Sequence, residues 1–258
     1  MSFLPALYFQ YRFSLILHFA ILSIKIRFKN TYIGLIWTVI EPLAYFVVMY
    51  VVFSTIRERE TDFAIYLLTG IMLFQIFSKG TTGGLSSLVN NSSIMQSVNI
   101  RRVFFPIVST VSVGILAFID IGVFFGMMPI FQFVPSWTIV LLPIPLILLL
   151  VLIMGISFLL SIVNVYVKDI KNLWSIVIHT LLFVSPIFWK PENIDGVLLL
   201  IHKINPLGQL IDISHKLVID GQIPPISDWV YTTLIICGIF ALGYFMFNRL
   251  QDKIVEDL

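Results

Sequence analysis

The charged residues of this chain stand in short gaps between long stretches that hold almost none. That spacing decides what the chain can fold into. Only 12% of its 258 residues are Asp, Glu, Lys or Arg, and 59% are hydrophobic; a soluble domain carries roughly a quarter charged residues. Bilayer hydrocarbon is about 30 Å thick, so a crossing helix needs about 20 apolar residues. Six runs meet that need, at roughly 33–56, 63–84, 104–130, 138–166, 172–189 and 229–248. Lipid offers no partner to an unpaired backbone group, and the alternation of a closed barrel is missing, so the runs are read as helices. The expected fold is an all-α integral membrane protein with six transmembrane helices in one domain, 1–258. An N-terminal amphipathic interface helix (5–31) and short outer re-entrant or gate helices (190–228) complete it.

Lys and Arg set the orientation. With both termini cytoplasmic, the inner side holds 11 of the 16: Arg12, Lys25, Arg27, Lys29, Lys79, Arg101, Arg102, Lys168, Lys171, Arg249 and Lys253. The outer side keeps Arg57, Arg59, Lys190, Lys203 and Lys216. Ahead of the first span, Gln10, Ser14, His18, Lys25 and Lys29 fall within about 100° on a helical wheel, with Phe13, Leu17 and Ile24 away from them. Two placements fit this segment: a helix lying on the inner membrane surface, or a seventh span at 5–24 with the N-terminus outside. In 190–228, Pro191, Asn205-Pro206, Gly221 and Pro224-Pro225 interrupt the chain. Between them Leu207, Leu210, Ile211, Leu217 and Val218 recur at helical spacing.

Polar residues inside spans are costly and mark either helix–helix contacts or a wet path. Trp37, Glu41 and Tyr45 stack on one face of span one. Ser109, Ser112 and Asp120 share a face of span three, Ser157, Ser161 and Asn164 one of span four, and Asn172, Ser175 and His179 one of span five. Glu41 and Asp120 are the intramembrane acids, and a buried carboxylate demands a partner or water. They keep a proton- or sodium-coupled carrier open as a reading. The aromatic residues, 14% of the chain, suit packing and interfacial belts, and their faces also match the apolar C–H faces of sugar rings.

Several chemistries find no support. There is no phosphate-cradling Gly-x-x-x-x-Gly-Lys-Ser/Thr, so the chain is no ATPase of that type. It has no His-Glu-x-x-His, no Gly-x-Ser-x-Gly and no nucleophile–base set, which leaves an integral membrane enzyme without a catalytic group. The four histidines lack metal-ligand spacing, and the single cysteine, Cys237, forms no intrachain disulfide. Basic residues are too dispersed for nucleic acid. If the chain transports, a partner or a gradient must drive it.

Arg27, Lys29 and Thr31, followed by Gly34, Trp37 and Pro42, resemble the segment that leads from interfacial helix to first span in the ABC type 2 permeases of polysaccharide and O-antigen export. Further stretches resemble that family in order: Leu67-Leu68-Thr69-Gly70 with Phe74-Gln75; Asn90, Ile94, Val98, Arg102 and Pro106; Asn164-Val165-Tyr166 with Lys168-Asp169-Ile170; Ser185-Pro186-Ile187; and Asn205-Pro206-Leu207. Two positions depart from it. Asn99-Ile100-Arg101-Arg102 lacks the family's proline, and Lys168 stands where Arg is usual. The resemblance implies a homodimer of six-helix subunits enclosing a channel in the bacterial inner membrane, with two copies of a separate ATPase subunit beneath. It implies a lipid-linked polysaccharide moved outward, O-antigen or alternatively teichoic acid or capsule. The chain itself would bind no cofactor; ATP and Mg would belong to the partner. Segment 90–102 would be the coupling helix, with Asn90, Ile94, Gln96, Val98, Arg101 and Arg102 toward the ATPase. Arg27, Lys29, Thr31 and Gly34 would form the interface-helix motif, and Pro186, Asn205 and Pro206 the outer gate. Trp37, Glu41, Tyr45, Tyr50 and Asp120 are the candidate channel residues.

Overall fold

The computed structural model describes residues 4–29, 32–54, 62–97 and 100–251, with the backbone alone for 4–13 and no side chain for 193. Among the described residues every regular element is helical. The helices are α1 (Leu4–Phe28), α2 (Ile36–Ser54), α3 (Phe63–Ser86), α4 (Ser92–Ser97), α5 (Phe104–Met127), α6 (Pro143–Tyr166), α7 (Ile170–Val184), α8 (Val197–Ile204), α9 (Pro206–His215) and α10 (Ile226–Leu250). Five segments among the described residues are long and apolar enough to cross a membrane: α2, α3, α5, the run Trp137–Tyr166 that ends in α6, and α10. The all-α membrane fold expected from the sequence is the fold observed.

Prolines explain where helices depart from the expected spans. The fifth span, expected over 172–189, is helical only to Val184. Pro186 pushes Ser185 into extended backbone (ψ 149°) and stops the helix there. At 15 residues, α7 reaches about 23 Å at 1.5 Å per residue, so the buried turn Ser185–Phe188 continues its course. In the fourth span a 3₁₀ turn, Trp137–Leu141, precedes α6, which begins on Pro143, where the missing N–H costs nothing. α5 ends at Met127, short of the expected 130.

α3 is the axis of the bundle. From Phe63 to Phe77 every residue is buried, because α2, α5, α6, α7 and α9 all pack on it. Small residues permit this in a solvent that gives helices no hydrophobic reason to associate. A Cβ on Gly84 would lie 1.9 Å from Ser157 Oγ of α6. Gly155 and Gly243 meet where α6 crosses α10; a Cβ on Gly243 would come within 2.2 Å of the Gly155 carbonyl oxygen. Polar groups add to the seam, as Asn164 Nδ2 donates to the Leu85 carbonyl at 3.0 Å. The Ser157, Ser161 and Asn164 face of α6 is thus buried between helices.

α1 is a single helix laid along α5. Phe19 meets Phe104 edge-on at 5.2 Å, and Ser112 Oγ donates to the Ala20 carbonyl at 3.2 Å. Its side away from α5 exposes Ser14, His18 and Lys25, together with Leu17, Ile21, Leu22 and Ile26. α1 is not among the segments apolar enough to cross alone.

The 190–228 region forms α8, α9 and a π turn, Lys216–Asp220, as the prolines and the leucine spacing imply. Leu207, Leu210, Ile211, Leu217 and Val218 are all buried. A knot ties this region to α3. His215 Nε2 donates to the Tyr66 carbonyl at 2.9 Å, and its ring stacks on Tyr66 at 3.7 Å. The Tyr66 hydroxyl reaches the carbonyls of Pro186 and Trp189, at 3.1 and 2.6 Å. Burial pushes the His215 imidazole down to about 3, against a smaller opposing effect of its bond to Tyr66.

Two predictions follow from this packing. Gly155→Val drives α6 from α10 and costs at least the 1–3 kcal/mol typical of overpacking; detergent-solubilised protein should melt markedly lower, while Gly238→Ala, with open space at its Cβ, should not. His215 is held neutral when folded, so the unfolded chain takes up the proton first as pH falls. Stability is therefore present above about 6.5 and lost progressively toward about 3. Thermal melting across that range should show His215→Gln less stable than wild type at neutral pH yet losing less on acidification.

Candidate functional site

One side of α3 breaks its apolar character. Gln75, Ser78, Lys79, Thr82 and Ser86 follow helical spacing down its second half and face a cleft of about 410 Å³. α2 contributes Glu41 and Tyr45 to this cleft, and α7 contributes Lys171, Trp174, Ser175 and His179. Lys79 Nζ lies 3.0 Å from Glu41 Oε2. Trp174 is fixed by a bond from its Nε1 to Thr81 Oγ1 at 3.2 Å. His179 Nδ1 sits 2.6 Å from the Ser175 carbonyl one turn back. The cleft thus joins aromatic faces, hydroxyls and both signs of charge. It has the chemistry to contact a hydroxyl-rich chain with apolar ring faces, and no nucleophile–base pair.

Both walls are open on their outer sides. α2 exposes Val47, Val48, Val51 and Val52, and α7 exposes Leu173, Ile176 and Val177. Along α2, Trp37, Ile40, Glu41, Ala44, Tyr45 and Val48 line a second, shallower groove. Trp37, Glu41 and Tyr45 therefore do share one face.

The other candidate channel residues sit elsewhere. Tyr50 is not brought to the cleft. It packs with Phe46, Phe63 and Phe131 at ring distances of 5.6, 6.3 and 5.7 Å, because it turns toward α3 and the loop after α5. Asp120 lies behind the cleft, buried in the wall of a 90 Å³ cavity shared by Arg27, Trp37, Thr38, Glu41 and Lys79. Of the span-three face, Ser112 turns to α1 and Ser109 Oγ lies beside Gly83 of α3.

Of the interface-helix motif, Arg27 reaches that cavity, Lys29 is exposed and Gly34 makes the turn into α2 at φ +55°, a conformation that favours glycine. Thr31 lies outside the described residues, as do Val98, Arg57, Arg59 and Lys253. Among the described residues of segment 90–102 and its approach are a 3₁₀ turn, Val89–Asn91, and α4. Ile94 and Met95 pack on a cluster of Leu88, Phe105, Phe158, Ile162, Val165 and Phe247, while Asn90, Ser93, Gln96 and Ser97 face outward. Arg101 is exposed and Arg102 half-buried.

The residues expected at an outer gate do converge. Asn205 caps α9 by accepting from Leu207 N at 3.1 Å, and its amide donates to Ser185 Oγ at 3.1 Å. Pro206 occupies the first turn of α9, and Pro186 is buried beneath Tyr66. What the sequence reading missed is the α3 stripe and the pairing of Lys79 with Glu41. The recurrence of Gln75, Ser78, Thr82 and Ser86 was the available signal.

Comparison with known proteins places this architecture. The sequence profile of the ABC-2 type transporter family matches residues 15–217. The chain is 25% identical over 255 residues to the O-antigen export system permease protein RfbA of Klebsiella pneumoniae, covering 96% of each chain. Its identity to the protein of the same name in Myxococcus xanthus is 20% over 260 residues, covering 97% of each. The polysialic acid transport protein KpsM of Escherichia coli is 24% identical over 246 residues, with 90% of this chain and 92% of that one covered. With its profile matched across most of the length and its helices arranged around a lipid-embedded core, the chain belongs to the ABC-2 type transporter family of membrane proteins.

Proposed function

We propose that this chain is the passage-forming membrane subunit of an ATP-driven exporter that moves a lipid-linked polysaccharide of the O-antigen class outward across the bacterial inner membrane. The observation that carries this reading is the cleft. In a bundle that is apolar almost throughout, one groove gathers Tyr45, Trp174, His179, Glu41, Lys79 and a line of hydroxyls. Sugar rings offer hydroxyls at their edges and C–H groups on their faces, which this lining can meet. The likeness to an O-antigen permease and to a polysialic acid transport protein supports a glycan cargo; capsule and teichoic acid remain its siblings within the reading.

The open faces of α2 and α7 argue for a second copy. Joined side by side with its twin, the cleft becomes a closed path and the exposed valines of α2 find partners. Both termini face the cytoplasm in this arrangement. Two copies of a separate ATPase subunit bind below, using ATP and Mg that this chain does not hold. Asn90, Gln96 and Ser97, on the outward side of the 89–97 turn and helix, meet the ATPase, and Ile94 anchors that helix to the bundle. A gradient-driven carrier is the competing reading, motivated by the intramembrane acids Glu41 and Asp120.

Export by the reconstituted complex separates these. Trp174→Ala should lower export roughly two- to tenfold, the range of an aromatic contact worth about 0.5–1.5 kcal/mol, with ATP hydrolysis retained. Ile94→Asp should leave hydrolysis but uncouple it from glycan movement. Export that continues without ATP and stops when the proton gradient is collapsed would overturn the proposal in favour of the carrier.

A further inference from the structure

The most deeply placed acid in the membrane bundle is Asp120. It is 6% exposed, and no group among the described residues donates to its Oδ1. Facing the same 90 Å³ cavity is Thr38, also 6% exposed, whose Oγ1 likewise has no donor or acceptor. The rest of the polar wall is Arg27 of α1, Glu41 of α2 and Lys79 of α3. Lys79 is paired with Glu41 at 3.0 Å, and Asp120 experiences the charges of both. One ammonium and two acids of opposite circumstance therefore line the same cavity. Glu41 has a side chain 59% exposed on the cleft wall, while Asp120 is buried. Across the cleft, α7 brings Lys171, Ser175 and His179 and no carboxylate, so it offers Lys79 no second acid.

The helices carrying these groups are not equally held. α3 and α5 pack on each other and on α6 in the centre of the bundle. α2 rests on α3 and α5 by one side and exposes the other. Any widening of the cleft by α2 withdraws Glu41 from Lys79. The Lys79 side chain is only 19% exposed, so separating it from its carboxylate disfavours that movement of α2, and less so where a second carboxylate lines the same cavity.

We propose that Lys79 is a two-position latch. Bound to Glu41 it holds α2 against α3 and keeps the cleft narrow; as α2 moves off, the ammonium turns into the cavity and pairs with Asp120. The cavity is the space this swing uses, and Thr38, travelling with α2, marks its mobile wall. Asp120 is then a positioning residue that makes the wide state reachable, and it touches no cargo. The latch rests on the reading of the cleft as a passage, but its test does not need export.

The test measures how fast a small water-soluble maleimide labels Thr82→Cys, a cleft-lining position. It is run in the assembled complex in membrane vesicles, with the native Cys237 changed to Ser. Glu41→Gln frees the latch from its closed position and should speed labelling. Asp120→Asn removes the open position and should slow it. Each change should fall within the roughly five- to 150-fold range of conformational couplings. Both substitutions are near-isosteric, so their opposite signs carry the test even if Lys79→Met fails to fold. Where it folds, Lys79→Met should erase both effects, and Lys79→Arg should keep them. Asp120→Asn labelling at the wild-type rate, or slowing equally with Lys79 removed, overturns the latch. The expected pattern in a complex that moves no glycan would uphold the latch and sink the export reading instead.

Discussion

Everything in this bundle depends on how closely α6 can approach α3 on one side and α10 on the other. Lipid tails are as apolar as leucine, so burial does not drive these helices together. Contact must come from packing at short range, and a β-carbon in the wrong place removes it. Gly84 against Ser157, and Gly155 against Gly243, let the backbones meet. The result is a block of α3, α5, α6 and α10 in which α3 is enclosed on nearly all sides. α2 and α7 are left at its margin, each with one free face. The cleft is a consequence of that partition, since it opens where the packed block gives way to helices held on one side only.

The same partition sorts the polar residues. Ser157, Ser161 and Asn164 lie within the block and serve contact between helices, with Asn164 reaching the Leu85 carbonyl. Gln75, Ser78, Thr82 and Ser86 lie on the side of α3 that looks out of the block and line the cleft. Sequence periodicity alone treats the two stripes alike. Only knowledge of which helix stands at the margin tells them apart, and that is fixed by contacts between helices far apart in sequence, such as Gly155 with Gly243.

This explains what could and could not be read from the residues. The all-α membrane architecture was legible because charge spacing and bilayer thickness leave few options. The end of α7 was recoverable in principle, as Pro186 disfavours helix at Ser185, yet the apolar character of 185–189 masked it. The face shared by Trp37, Glu41 and Tyr45 followed from a four-residue spacing. Tyr50 did not, because α2 is apolar all round and its spacing says nothing about which side meets Phe63 and Phe131. The partner of Glu41 was equally hidden. Lys79 sits 38 positions away in the sequence, and only the packing of α2 on α3 brings them to 3.0 Å.

A mechanical consequence follows from α3 being both central and unbroken. At one end Tyr66 is clasped by His215 and by the carbonyls of Pro186 and Trp189, so α9 and the turn after α7 cannot shift without pulling on it. At the other end α3 stops at Ser86, and the 3₁₀ turn begins at Val89, leaving only Ser87 and Leu88 between them. Leu88 is fully buried among Phe105, Phe158 and Phe247, and Ser87 Oγ bonds back to the Gly84 carbonyl at 2.6 Å. There is no slack segment in which a displacement of α4 could be absorbed. A displacement of α4 must move the end of α3 or the cluster that grips it, and α3 carries Lys79 between that end and the knot at Tyr66. The pairing of Lys79 with Glu41 is thus seated on a helix that is tied to its surroundings at both ends.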